Sequence, residues 1–168
     1  AYTTNTVADH HHIIENSGAE LAIVSNAKLT ERVLAAASKA DTFTDIITME
    51  MSKISHESEI IIHLWDEMLK AGTTSYENIV VGSEAITRNQ TACIIYTSGT
   101  GGTPKGVMLH HGAILHNCLG AQDALVELGL GNEVFLSFLP LSHSYEHTAG
   151  QFFPISIGAQ IYYSEADT

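Results

Sequence analysis

Positive charge is scarce in this chain: seven Lys and Arg stand against nineteen Asp and Glu, a formal net charge of −12. So acidic a surface repels phosphate backbones over distance and excludes a nucleic-acid partner. It equally excludes a polybasic anchor on anionic lipid. Cysteine is scarcer still. Cys93 and Cys118 are the two in 168 residues, at no metal-ligand spacing, and they read as reduced, buried thiols of a cytoplasmic protein. Long apolar runs are missing as well. None approaches the roughly 20 residues of a spanning helix, so no transmembrane segment is expected. No positively charged, apolar leader with small residues opens the chain, and no internal repeat or low-complexity tract interrupts it.

What is present is a globular composition, with 45% hydrophobic and 15% charged residues, enough for one domain with its own core. Thr6 as N-cap, with Asp9 three residues on, predicts a helix to Ser17 that Gly18 ends. Leu21–Val24 reads as a buried strand. Leu29, Val33, Leu34 and Ala37 recur at helical spacing, and Phe43–Met49 reads as a second strand. Ile60, Ile61, Leu64, Trp65, Met68 and Leu69 predict an amphipathic helix ending near Gly72, with Trp65 in the core. Thr73–Thr91 reads as a long polar loop with one apolar piece, Ile79–Val81. Further strands are expected at Ala92–Tyr96, Gly106–Leu109, Val134–Phe138 and Gly158–Tyr163. Helices are expected at His110–Leu128, started by His110, and at His143–Phe152, after the break at Pro140. Strands alternating with helices define an α/β fold, a mostly parallel sheet with helices on both faces.

Chemistry concentrates in Tyr96-Thr97-Ser98-Gly99-Thr100-Gly101-Gly102-Thr103-Pro104-Lys105-Gly106. The segment leaves the C-terminal end of a buried strand, where ligands of open α/β sheets bind. Its glycines let backbone N–H groups curl around an anion. Thr97, Ser98, Thr100 and Thr103 add hydroxyls, and Lys105 adds the one nearby cation. These are parts for gripping a polyphosphate. The G-x-x-x-x-G-K-[ST] loop is excluded because Pro104 precedes Lys105 and Gly106 follows it. The G-x-G-x-x-G fingerprint is excluded because Pro104 falls on its last glycine. A ligand-free glycine-rich surface loop is the bland reading, and the hydroxyls, the lysine and the preceding strand speak against it.

The same residues, Tyr-Thr-Ser-Gly-Thr followed by Gly-x-Pro-Lys-Gly, resemble the signature loop of the adenylate-forming superfamily. Gly101 stands where most members carry a hydroxyl, and Gln90 where many carry an acid. Leu139-Pro140-Leu141-Ser142-His143-Ser144-Tyr145-Glu146 is similar to the stretch that lines the acyl and adenylate side of the site in long-chain fatty acyl-CoA synthetases. The segment from Tyr2 to Ala19 resembles the start of their large N-terminal domain, so the likeness covers residues 1–168. It implies ATP-dependent adenylation of a fatty acid, then thioester formation with coenzyme A, with Mg2+ assisting. Under it, Thr97, Ser98, Gly99, Thr100, Gly101, Gly102, Thr103 and Lys105 contact the ATP phosphates, and His143 lies near the acyl-adenylate. A cytoplasmic enzyme is expected, and peripheral membrane contact of the parent protein is compatible with that expectation. The family's metal-holding glutamate and its catalytic lysine, which sits on a small C-terminal domain, match nothing here. Residues 1–168 are therefore expected to be a partial N-terminal domain, with loop 96–106, that is inactive in isolation.

Two other readings compete. His143-Ser144-Tyr145-Glu146-His147 is an H-x-x-E-H string, which in some zinc hydrolases supplies two ligands and a base, with a third ligand left to Glu165 or Asp167. A non-enzymatic α/β binding module is the other. His10-His11-His12 cannot share one metal, because consecutive helical residues point about 100° apart; three polar, partly exposed rings are expected.

Overall fold

The computed structural model describes residues 1–50, 58–72, 75–97, 102–129 and 131–164. Two compact units emerge: 1–83 with 96–106, and 84–95 with 107–164 of the described residues.

In the first unit, α1 (Val7–Ser17) opens on a capping box. Thr6 Oγ1 accepts from Asp9 N at 3.2 Å, and Thr6 N donates to Asp9 Oδ2 at 2.9 Å, so two otherwise unpaired N–H groups are satisfied reciprocally. Gly18 closes the helix at φ 65°, a left-handed conformation that costs a glycine nothing. Strand β1 (Leu21–Val24) follows, then α2 (Ala27–Ala37), capped where Asn26 Oδ1 accepts from Leu29 N at 2.9 Å. Strands β2 (Asp45–Thr48) and β3 (Ile61–Leu64) complete a parallel sheet in the order β1-β2-β3. Its register aligns Ala22, Ile46 and Ile62 on one face. That face meets Ile14 of α1 and Val33, Leu34 and Ala37 of α2 in the core. Ile46 is fully buried, and its truncation to Ala would cost about 2–5 kcal/mol. Thr30 and Thr48, also sealed from solvent, are joined by a 3.1 Å hydroxyl bond, and Thr48 donates onward to Glu50 O at 2.9 Å. A buried hydroxyl pair needs such a chain to offset its lost water.

Three expectations are corrected here. The stretch read as one helix from Ile60 is a strand, β3, followed by the short helix α3 (Trp65–Ala71), which buries none of its residues. The β-branched Ile61 and Ile62 pair with Asp45 and Ile46 of β2, and that ladder outweighs the helical spacing. Trp65 is half-buried and lies outside the core. The polar stretch after residue 73 contains α4 (Tyr76–Glu84), again without a buried residue.

Strands β4 (Thr91–Thr97) and β5 (Lys105–His110) pair as a two-stranded sheet. In the second unit α5 (His111–Leu125) starts where His110 Nδ1 accepts from Ala113 N at 2.9 Å, the helix-start role expected of His110. A 3-10 turn, Val126–Leu128, extends it. Strands β6 (Val134–Ser137) and β7 (Gln160–Tyr163) are parallel, with Phe135 opposite Ile161. Between them the helical stretch expected from His143 is real but not uniform. It runs as α6 (Ser144–Glu146), a π-helical segment His147–Phe152, and α7 (Phe153–Ser156). Ile114, Cys118 and Phe153 form this unit's core, with Phe135 packed edge-on to Phe153 at 5.8 Å.

Candidate phosphate-binding site

The glycine-rich segment lies between two paired strands. Thr97 is the last residue of β4 and Lys105 the first of β5; both are exposed. Gly102, at φ 86°, takes a conformation that side chains disfavour, with open space where a Cβ would sit. Thr103 beside it is exposed. Ser98, Gly99, Thr100 and Gly101, also expected to contact phosphate, lie outside the described residues. In a chain with a net charge of −12, Lys105 forms no ion pair among the described residues. An uncompensated ammonium at a glycine-rich turn is open to an anion.

The strands' other contacts show what supports the loop. Tyr96 is buried, and its hydroxyl donates to Asn16 Oδ1 at 2.7 Å. His12 Nε2 lies 2.9 Å from Pro104 O, and its ring meets that of Tyr96 edge-on at 6.3 Å. The three consecutive histidines thus leave α1 in three directions. His12 reaches the loop, His11 Nδ1 lies 2.9 Å from Ala36 O of α2, and His10 turns inward. The expectation of three partly exposed rings is corrected at His10, which is 7% exposed with no partner for Nε2 among the described residues. Burial first, then Arg32, holds its pKa below the usual 6.5.

The H-x-x-E-H string does not converge. His143 is exposed, and its Nδ1 caps Tyr145 N at 3.2 Å. Glu146 is buried, accepting from Ser137 Oγ at 2.6 Å. His147 Nε2 sits 3.7 Å from Cys93 Sγ. Burial pushes the Cys93 thiol up and the His147 imidazole down, so the pair is neutral rather than thiolate and imidazolium. Glu165 and Asp167 lie outside the described residues. Among the described residues no group of three or more His, Cys, Asp or Glu side chains could hold a metal. Around Glu146 opens an apolar cavity of about 370 Å3, lined also by Phe135, Phe138, Tyr145 and Phe153.

The described residues thus combine parallel α/β sheets with a glycine-rich segment between β4 and β5 that runs into an exposed lysine. Residues 1–168 match the AMP-binding enzyme family over their whole length, and the chain belongs to that family. It is 30% identical over 171 residues to the long-chain-fatty-acid–CoA ligase ACSBG2 of Homo sapiens, covering 99% of this chain and 25% of that protein. It is 26% identical over 162 residues to the long-chain-fatty-acid–CoA ligase heimdall of Drosophila melanogaster, covering 94% and 23%. The chain thus spans about a quarter of the length of the curated relatives it matches. In fold it resembles a red-emitting luciferase from Phrixothrix hirtus, with a TM-score of 0.73 at 20% identity, over 100% of this chain and 31% of the other. The ATP-bound MatB of Rhodopseudomonas palustris is similar too, with a TM-score of 0.70 at 20% identity, over 99% and 30%.

Proposed function

We propose that this chain carries the triphosphate-gripping part of an ATP-dependent fatty acid–CoA ligase, and that the complete reaction belongs to a longer protein. The reading is supported above all by Lys105, which forms no ion pair among the described residues, at the end of a loop whose chain belongs to the AMP-binding enzymes. The long-chain ligases among its relatives support a fatty acid as the acid substrate.

In the first half-reaction a fatty carboxylate oxygen attacks the α-phosphorus of ATP. The bond to the bridging oxygen breaks, and pyrophosphate leaves with the electron pair. In the second, the sulfur of coenzyme A attacks the acyl carbon, forming the thioester and expelling AMP. Lys105, the Thr97 and Thr103 hydroxyls and the loop's N–H groups act on the first step. They stabilise negative charge that grows on the departing pyrophosphate. Ser98 and Thr100 belong to the same grip in this reading, and His143 faces the acyl-adenylate. Mg2+ accompanies ATP in the resemblance, but the described residues offer it no ligand set, so no step is routed through it. A cytoplasmic setting, where ATP and coenzyme A meet, completes the reading.

Lys105→Ala in the protein that carries this chain is expected to slow ATP–pyrophosphate exchange by about 10–100-fold, the usual cost of losing a charged hydrogen bond. Unchanged exchange in a folded variant removes Lys105 from the grip. A substrate panel that favours amino acids or short aryl acids removes the fatty acid.

A further inference from the structure

His12 and Asn16 lie four residues apart on α1, so they share one face of the helix. That face touches both flanks of the loop. Asn16 accepts the Tyr96 hydroxyl at 2.7 Å, and Tyr96 is the residue before Thr97. His12 Nε2 stands 2.9 Å from the carbonyl of Pro104, the residue before Lys105. A carbonyl only accepts, so Nε2 carries the hydrogen. The rings of His12 and Tyr96, crossed at 88°, close the bridge between the two contacts.

We propose that His12 and Asn16 are positioning residues for triphosphate binding: α1 clamps Tyr96 and Pro104 so that Thr97 and Lys105 stand ready at the loop's two ends. The inference deepens the reading of this loop as a phosphate grip and rests on it. Its physical reason is entropic. Groups that must be ordered when a ligand binds lower its affinity by that ordering cost. Holding both ends reduces the cost before the ligand arrives. The Pro104 carbonyl belongs to the peptide that leads into Lys105, so a hydrogen bond to it from His12 orients that peptide from outside.

The test uses ATP–pyrophosphate exchange by the protein that carries this chain, with separate KM values for ATP and for the fatty acid. His12→Ala is expected to raise the KM for ATP roughly three- to ten-fold, the usual weight of one neutral hydrogen bond, with the KM for the acid unchanged. His12→Gln keeps an amide N–H at similar reach, and is expected to return the KM for ATP to within about two-fold of the parent value. Tyr96→Phe keeps the ring and loses the hydroxyl, and is expected to behave like His12→Ala. An unchanged KM for ATP in both variants, or equal rises in both KM values, overturns the clamp. So does a glutamine variant no better than alanine. Where His12→Ala fails to fold, Tyr96→Phe and His12→Gln decide. Lys105→Ala separates the two levels. If it damages exchange while His12→Ala does not, the clamp alone is wrong. If Lys105→Ala is silent, the phosphate reading falls and takes the clamp with it.

Discussion

Three neighbouring histidines on α1 do three unrelated things, and the difference lies in where each ring is sent. His10 is enclosed, without a partner for Nε2 among the described residues. Its folded pKa lies below 6.5, the value it has in an unfolded chain. Between those two values the unfolded chain binds a proton that the folded chain refuses. Stability is therefore full above about pH 6.5 and declines as pH falls through that value. His10→Leu gives up no hydrogen bond and is expected to flatten this acid limb in thermal melts taken between pH 7.5 and 5.5. An unaltered slope would show that the acid sensitivity lies elsewhere, with His147 the next group depressed by burial. At Cys93 the raised thiol pKa predicts slow chemistry. Its alkylation at pH 8 is expected to lag behind that of a free thiol, as read by mass spectrometry. Glu146 shows the same link from burial to consequence. A Cβ on Gly150 would fall on its carboxylate, so Gly150→Ala must displace the group that bonds Ser137. That change is expected to lower stability by about 1–3 kcal/mol, measurable by denaturant melts. Glu146→Gln, which can still accept from Ser137, should lie near the parent.

At the scale of elements, α1 is both a core helix and the support of the loop. Its capping box makes the connection testable. Thr6→Ala removes the side-chain acceptor of Asp9 N and is expected to cost about 1 kcal/mol in the first unit. If α1 holds the loop, hydrogen exchange at the Lys105 and Gly106 amides should quicken in this variant as well. Exchange that stays slow there while α1 frays would separate the helix from the loop. The middle of the chain teaches a different lesson. Ile60 to Leu69 satisfies helical spacing, yet four of those residues extend as β3, with Ile46 opposite Ile62 and Thr48 opposite Leu64. Periodicity reports which residues of a local element would share a face. It cannot report that a neighbouring strand offers a ladder.

The whole molecule leaves apolar surface in view. Leu21 and Ile23 of β1 are 44% and 55% exposed, and Leu136 of β6 is 64% exposed. Parallel sheets are ordinarily covered on both faces, and the relatives are about four times longer than this chain. The chain by itself is thus expected to bind an apolar dye such as ANS, and a version extended toward the relatives' length should bind less. Equal dye binding would mean that those faces stay open in the longer protein. The same reasoning bears on ligands. Loop N–H groups need no partner domain to attract an anion, and the proposed function leaves adenine recognition to the longer protein. Calorimetry on residues 1–168 is expected to give ATP and inorganic tripolyphosphate similar, weak affinities and no thioester product, and a clear preference for ATP would relocate the adenine site into this chain.

The sequence by itself determined the α/β class, the start and stop of α1 and the loop with its lysine. Each of these is written in contiguous residues: Thr6 with Asp9, Gly18, and the run from Tyr96 to Gly106. Local sterics and hydrogen-bonding capacity decide such features wherever the segment finds itself. Even the divergence of the three histidines follows from helical geometry alone. Their destinations do not. His12 meets Pro104 across 92 positions, and Tyr96 meets Asn16 across 80. The H-x-x-E-H string scattered for the same reason, since Ser137 and Cys93 claim two of its members. Which distant residue arrives beside a given side chain is settled by packing of the whole core. A spacing rule carries no information about that.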